Sequence, residues 1–587
     1  MASFFDHQER AQSRTGWLVV LFLMGSLGIT VCVTVVMAMV IPNSIPLAIG
    51  VSVLLIGVPF LFKLATLGSS GSQVALAMGG QLVSPETGDP AERKVLNVVE
   101  EMAIASGMPS PPVYVLDEPG INAFAAGTSP QNAVIGVSRG SIELLSRDEL
   151  QGVMAHEFSH IFHGDMKINM RAIAAIFGLM ALGYVGYYLL RGGSMGRRGK
   201  GGGQIALVGL AFLVLGAIGT LFARLMQAAI SRQREFLADA SAVQYTRNPQ
   251  GIGGALAKIA QQADCTMLHP EASQFNHMLF SEGVRTAFAS HPPLRERIDR
   301  IKAMAGGVLV EPAAPPSGSR VPLATIGSVP HGNLERAHAS LMGLAPAHLE
   351  SAHRGGDSWA VVFAVVLGRE PSRAKRMMEV VNATDTRLAD SITAVMSEPL
   401  PTGIAEQLAL VDVACATLAR TNSQTYLATR TLLAQALKAD GKIDLLEWVV
   451  TEILRARVEL PIAARGGRSP DRSRQLRDVI APAQRALGMI ALLGAPDEAT
   501  ATTSLAAGLA RAGLPGVALP PPAERTLDSI VSDLKALESL RPAAASTLLE
   551  SAVACVSHDQ ATTEQEYLLL RALSERLAVP LPPVFVQ

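Results

Sequence analysis

SRDELQGVMAHEFSH, running from Ser146 to His160, is the stretch on which the reading of this chain turns. Ser146 followed three residues later by Glu149 is a capping-box signature for a helix start. Leu150, Val153 and Met154 then recur at helical spacing, so one face of that helix packs against a core. His156, Glu157 and His160 lie in the pattern HExxH. Residues four apart share a helix face, so both imidazoles can meet one tetrahedral metal ion while Glu157 points at the ion's open position. Two ligands and a base are therefore expected on one helix. An ordinary polar helix surface is the plain alternative, and the capped, amphipathic context argues against it.

A chain of 587 residues is longer than one hydrophobic core sustains, since single cores seldom grow past about 250–300 residues. The net charge of −1 offers no attraction to a nucleic acid, and no nucleic-acid partner is expected. Only 17% of the residues are charged, and the apolar excess is concentrated in a few blocks. From Trp17 to Ile41 there is no charged residue. After PNSIP a second apolar block runs from Leu47 to about Leu67, interrupted only by Lys63. Each is long enough to cross roughly 30 Å of hydrocarbon as a helix. Asp6 and Glu9 before the first block, its length and the lack of a small-residue cleavage site argue against a signal peptide. Residues 17–67 thus predict a transmembrane hairpin after a short cytoplasmic segment, 1–16.

Two further blocks, 172–190 and 205–223, flank the basic glycine-rich loop RGGSMGRRGKGGGQ and predict a second hairpin. Buried core helices are the alternative, because both blocks lie near the lower length limit for a span. Arg10, Arg14, Lys63, Lys167, Arg171, Arg224, Arg232 and Arg234 flank the side that carries HEFSH, against Arg191, Arg197, Arg198 and Lys200 on the other. That bias predicts a multi-pass inner-membrane protein with its catalytic region on the cytoplasmic side. The four loop charges oppose full insertion of the second hairpin. Cys32, Cys265, Cys415 and Cys555 form no CxxC pair, which suits a reducing compartment.

Between the first hairpin and HEFSH, ERKVLNVVEEMAIASG reads as a helix stopped at Gly107, and PPVYVLDE and NAVIGVSRG read as strands. Residues 306–333 mix proline, glycine and serine as a linker. From 334 to 587, alanine- and leucine-rich segments predict an all-helical region that could recruit a protein partner or self-associate. Within it, ADGKIDLLE imitates half of a calcium loop, but Ala436 and Lys438 stand where oxygen ligands are needed, so a helix cap is the reading.

A catalytic zinc needs a third protein ligand. In SRQREFLADA, Glu235 and Asp239 share one helix face, so Glu235 can reach the metal while Asp239 accepts a hydrogen bond from a ligand imidazole. Asp165, five residues past His160, can cap or orient the end of the metal helix. His163 is not needed as a ligand once Glu235 is in place.

HEFSHIFHGDM, REFLADA and HPPLRERI, in that order with a hairpin between the first two, resemble the HtpX group of membrane zinc proteases, relatives of the CAAX prenyl endoprotease. The resemblance covers residues 80 to 305 and implies a gluzincin fold in which one Zn²⁺ is bound by His156, His160 and Glu235, with Glu157 as general base. It places His291 and Arg297 near the active site, where they could stabilise a charged tetrahedral intermediate. It matches NAFAAG (Asn122, Ala123, Phe124, Ala125, Ala126, Gly127) to a substrate-binding edge strand.

The expected fold class is mainly α: membrane helices, an α+β zinc protease core over 68–305, and an all-α C-terminal region. The expected activity is metal-assisted hydrolysis of membrane or misfolded polypeptides in quality control, at the lipid bilayer. A prenyl-protein endoprotease and a membrane scaffold acting through the tail are the rival readings. The resemblance leaves that tail unexplained.

Overall fold

The computed structural model describes residues 4–40, 45–67, 71–195, 202–261, 280, 292–304, 333–368, 371–439, 443–465, 471–557 and 562–581. His291, Cys265 and nearly all of the 306–333 linker lie outside them. The chain is mainly α-helical with one small sheet, and it divides into two compact units: Met1–Leu82 with Val113–Pro312, and Val83–Pro112 with Ala313–Gln587.

The first unit begins with α1 (Phe4–Val40) and α2 (Ile45–Leu67), followed by the short α3 (Gly71–Ala77). Beyond the sheet come α5 (Arg139–Leu144), α6 (Arg147–His163), α7 (Asp165–Met195), α8 (Gly202–Thr246), α9 (Pro249–Gln261) and a helix Leu294–Met304. Among the described residues four helices are long and apolar enough to cross a membrane, at Val20–Met39, Ile45–Ala65, Ile168–Gly192 and Gln204–Thr246. They coincide with the four apolar blocks. The second pair is longer than the blocks alone indicate, because α7 and α8 continue unbroken into polar sequence, and α8 runs on to carry Glu235 and Asp239.

Tyr184, Tyr188, Leu207 and Ile218 remain exposed on α7 and α8, an arrangement that suits lipid rather than water. The two helices meet through glycine. A Cβ on Gly186 would fall 2.3 Å from Leu213 N, and one on Gly209 would fall 2.5 Å from Leu190 N. Only glycine lets the backbones approach this closely, and in lipid such close packing is what holds helices together.

The sheet has the order β1 (Gln81–Leu82), β2 (Val113–Leu116), β4 (Val134–Ser138), β3 (Ala123–Ala126). β2 and β4 are parallel, while β1 and β3 run antiparallel to their neighbours and form the two edges. Val74, Met78, Tyr114, Leu116, Phe124 and Val134 make the core beneath it. Gly136 stands opposite Phe124, whose ring occupies the place of a Cβ.

The second unit gathers α4 (Pro90–Ser106) with the C-terminal helices. Asp89 accepts from Ala91 N, Pro90 opens the helix and Gly107 closes it in the left-handed conformation. Glu100 pairs with His353 at 2.8 Å and Glu101 with His338 at 2.9 Å. Arg457, on the π-helical turn Arg455–Glu459, donates to the carbonyls of Gly107 (3.1 Å) and Met108 (3.4 Å). The same guanidinium meets Asp412 and Glu575, which Arg571 also engages, so a buried ion cluster holds the end of α4. Asp444 caps the helix Leu445–Leu454 in a reciprocal box with Glu447, as the cap reading of ADGKIDLLE anticipates.

Candidate metal centre

The helix that carries the two histidines starts where the sequence places its start. Ser146 accepts from Glu149 N, and the Glu149 carboxylate accepts from Ser146 N at 2.7 Å. Gly164, left-handed at φ 70°, ends it. Against α6 lies α9, and a Cβ on Gly152 would sit 2.4 Å from Ile252 N, so the two backbones are nearly in contact. This packing buries Leu150, Val153 and Met154 on one side and fixes the direction in which His156, Glu157 and His160 project.

The three expected ligands converge. Ligand atoms of His156, His160 and Glu235 all lie within 4.8 Å of one another. His156 Nε2 is 3.1 Å from His160 Nε2, and the Glu235 oxygens are 3.6 Å from the first and 3.7 Å from the second. Tetrahedral zinc with ligands at about 2.0–2.2 Å sets ligand atoms roughly 3.3 Å apart, which these spacings bracket.

The far side of each ring explains why an ion fits. His156 Nδ1 lies 3.0 Å from Asp239 Oδ1, and His160 Nδ1 lies 2.9 Å from Asp165 Oδ2. A carboxylate only accepts, so when the rings are neutral, as metal ligands must be, each Nδ1 carries the proton and each Nε2 is left with its lone pair. Two lone pairs 3.1 Å apart repel unless positive charge stands beside them. Without an ion, a proton on His160 supplies that charge. Burial drives His156 down to about 4. Burial also opposes the charged form of His160, but the Asp165 hydrogen bond and charge outweigh it and lift that ring to about 9. The donor set therefore fits a cation.

Around these atoms lies a ring of buried charge. Arg234, one residue before Glu235, forms an ion pair with Asp165 and so ties α8 to the start of α7. Arg297 is fully buried. Its Nε and Nη2 donate to the two oxygens of Asp239 at 2.8 and 2.7 Å, and Nη1 lies 3.2 Å from Glu235 Oε2 and donates to Phe280 O at 3.0 Å. Burial alone would depress this guanidinium, yet Asp239 and Glu235 hold it charged. The Phe280 ring stands edge-on to His156, with centroids 4.9 Å apart, and beneath Arg297 at the same distance.

A cavity of about 20 Å³ touches Ala125, Glu157, His160 and Glu235, enough for a single water molecule. Glu157 is buried at its rim. On its other flank stands β3, an edge strand formed by four of the six NAFAAG residues. Asn122 is buried beside it, and its N–H donates to Ser138 Oγ and Ser141 Oγ. Gly127 leaves the strand at φ 146°, where a Cβ would strike Asn132 O at 2.8 Å.

Of the residues singled out in the sequence, His156, Glu157, His160, Glu235, Asp239, Asp165, Arg297 and the β3 strand are thus brought together; His291 lies outside the described residues. Two participants were not singled out as site residues, although Arg234 opens the REFLADA motif. Arg234 looked like one membrane-flanking charge among several. Phe280 lies 45 residues beyond Glu235 between Phe275 and Phe288, and nothing in its local sequence marks it.

Comparison with known proteins covers the same region. The model of peptidase family M48 matches residues 90–305. A protease HtpX homolog of Streptococcus uberis is 38% identical over 216 residues, 35% of this chain and 72% of that protein. Its counterpart from Dictyoglomus turgidum is 38% identical over 213 residues, 36% of this chain and 69% of the relative. That of Streptococcus thermophilus is 36% identical over 242 residues, 40% of this chain and 80% of the relative. No solved structure matches. The family match begins at the first residue of α4, a helix that groups with the C-terminal unit.

Proposed function

Because the chain belongs to peptidase family M48 as an HtpX-type membrane metalloprotease, we propose that it is a zinc endopeptidase that hydrolyses membrane or misfolded polypeptides in quality control. One observation carries the reading: two imidazoles, whose Nδ1 atoms lie 3.0 and 2.9 Å from carboxylate oxygens, bring their Nε2 atoms together with a third donor, Glu235.

His156, His160 and Glu235 would hold one Zn²⁺, and Asp239 and Asp165 would orient the two rings. A zinc ion there supplies a Lewis acid that polarises a carbonyl and acidifies water. Glu157, beside a cavity with room for one water molecule, takes the proton from the attacking water and passes it to the leaving amine. Arg297, engaged with Asp239, Glu235 and Phe280 O, acts as a positioning residue for the ligand set. His291 is the residue left to meet the charge that develops on the substrate oxygen.

Substrate lies extended along β3, whose edge position supports strand addition. Main-chain hydrogen bonds then dominate recognition and side-chain demands are few, which suits a quality-control enzyme. Four membrane-type helices and the basic residues on the HEFSH side support a multi-pass inner-membrane protein with its centre facing the cytoplasm. The C-terminal helical unit is free to serve partners or self-association.

Glu157→Gln tests the mechanism. The variant retains zinc by metal analysis and loses cleavage of an unfolded substrate by at least 100-fold, within the range of general acid–base contributions of about 10²–10⁴. Undiminished hydrolysis would remove Glu157 from the proton path.

A further inference from the structure

We propose that α7 and α8 act as a ruler that holds the metal centre roughly 9–16 Å outside the hydrocarbon, so that membrane-anchored chains are cut about three to five residues from their span. This deepens the protease reading of the site and rests on it.

Both legs of the ruler are marked by charge. On α7 no charged residue falls between Arg171 and Arg191, twenty residues or about 30 Å of helix, which matches the hydrocarbon thickness. The same twenty-residue step on α8 separates Gln204 from Arg224. All four of these residues are exposed. Tyr187 and Tyr188 stand exposed beside Arg191, which donates to Tyr187 Oη at 3.2 Å, as suits aromatic rings at a bilayer surface. Arg171 and Arg224 therefore mark the hydrocarbon edge on the side of the metal centre.

The legs keep one register from the bilayer to the centre. A Cβ on Gly186 would fall 2.3 Å from Leu213 N, one on Gly209 2.5 Å from Leu190 N, and one on Gly216 2.4 Å from Gly183 N. Carried along both helices, that pairing sets Asp165 level with Arg234, and these two residues do form an ion pair. Asp165, which lies 2.9 Å from His160 Nδ1, is six residues or about 9 Å outside Arg171. Glu235 is eleven residues or about 16 Å outside Arg224. The small cavity beside Glu157 extends from these two residues toward the membrane, because Met166, Asn169 and Ser231 also line it.

An extended substrate spans that gap in about three to five residues at 3.3 Å each. A bond closer to the span cannot reach Glu157 unless apolar residues leave the lipid. A more distant bond reaches it by looping, at an effective concentration that falls roughly as the −3/2 power of tether length.

The test places the zinc-loaded full-length protein in vesicles of phosphatidylcholine and phosphatidylglycerol. Its substrate is one apolar helix followed by an unstructured tail that repeats a single short peptide, so each repeat offers the same sequence at a different distance. Mass spectrometry should find cuts peaking about three to five residues from the span and about fifteen-fold rarer at thirty residues. The same tail without its span should be cut evenly. Even cutting of the anchored tail, or a peak beyond about ten residues, overturns the ruler and leaves the protease reading intact. If neither tail is cut, or if Glu157→Gln cuts as well as its parent, the protease reading fails and the ruler falls with it.

A second measurement does not depend on turnover. Arg232 is exposed on α8, eight residues or about 12 Å beyond Arg224. Spin labels are attached at Arg224→Cys or Arg232→Cys in Glu157→Gln protein whose four native cysteines are replaced by alanine. The label at 224 should collide with lipid-soluble oxygen, and the label at 232 with a water-soluble nickel chelate. A label at 232 that meets oxygen and not the chelate puts the centre inside the hydrocarbon and overturns the ruler, whatever the protease does.

Discussion

Replacing Arg297 with methionine should separate the metal-free fold from the metal-bound one. The native guanidinium is wholly buried and serves two carboxylates at once, with two hydrogen bonds to Asp239 and a 3.2 Å approach to Glu235. Methionine fills much of the volume but leaves both carboxylates without that counter-charge. Breaking a buried pair by removing one partner costs about 3–5 kcal/mol. Asp239 also loses the support that aligns it on His156 Nδ1, and loss of such a partner weakens metal binding by roughly 10–100-fold.

Purified metal-free Arg297→Met protein should therefore unfold at markedly lower denaturant or temperature than its parent. Chelator competition should show the weaker zinc binding. At a given zinc concentration zinc should raise the stability of the variant by less than it raises the parent's, because stabilisation by a ligand falls as its affinity falls. Arg297→Lys, which keeps the charge without the fork, should fall between. If the methionine variant binds zinc as tightly as the parent and unfolds at the same midpoint, the positioning role assigned to Arg297 is wrong.

Asp165→Asn should lower zinc affinity by roughly 10-fold or more by releasing His160 Nδ1 and Arg234, and an unchanged chelator titration would contradict that. Gly152→Ala should destabilise the protein by about 1–3 kcal/mol, because its methyl group would meet the Ile252 backbone; an unfolding midpoint equal to the parent's would count against the close α6–α9 packing. Arg457→Met should cost up to about 3 kcal/mol in unfolding experiments, since Arg571 still pairs with Asp412 and Glu575 but the carbonyls that end α4 lose their donor. No loss of stability would make that buried cluster incidental.

Much of the centre was legible because its parts repeat at helical spacing. His156 and His160 are four apart, as are Glu235 and Asp239, and a period of 3.6 puts each pair on one face without reference to the rest of the chain. The capping box at Ser146 and Glu149 was legible for the same reason, since its partners are three residues apart. The apolar blocks could be read from composition alone, although their lengths were underestimated where α7 and α8 continue into polar sequence.

Contacts between distant segments carry no such local signature. Nothing near Arg297 says that its guanidinium spans Asp239 and Glu235, some sixty residues earlier, rather than facing a substrate oxygen. Nothing near Phe280 says that its N–H meets Ala123. The grouping of Val83–Pro112 with the C-terminal helices depends on Arg457, His353 and His338 reaching back more than 200 residues. By itself the sequence determined the secondary elements, the apolar spans and the chemistry available on each helix face, because these depend on short-range periodicity. Tertiary structure alone decided which carboxylate orients which ring, where the edge of β3 is already occupied and which helices share a core, because those outcomes depend on packing across the chain.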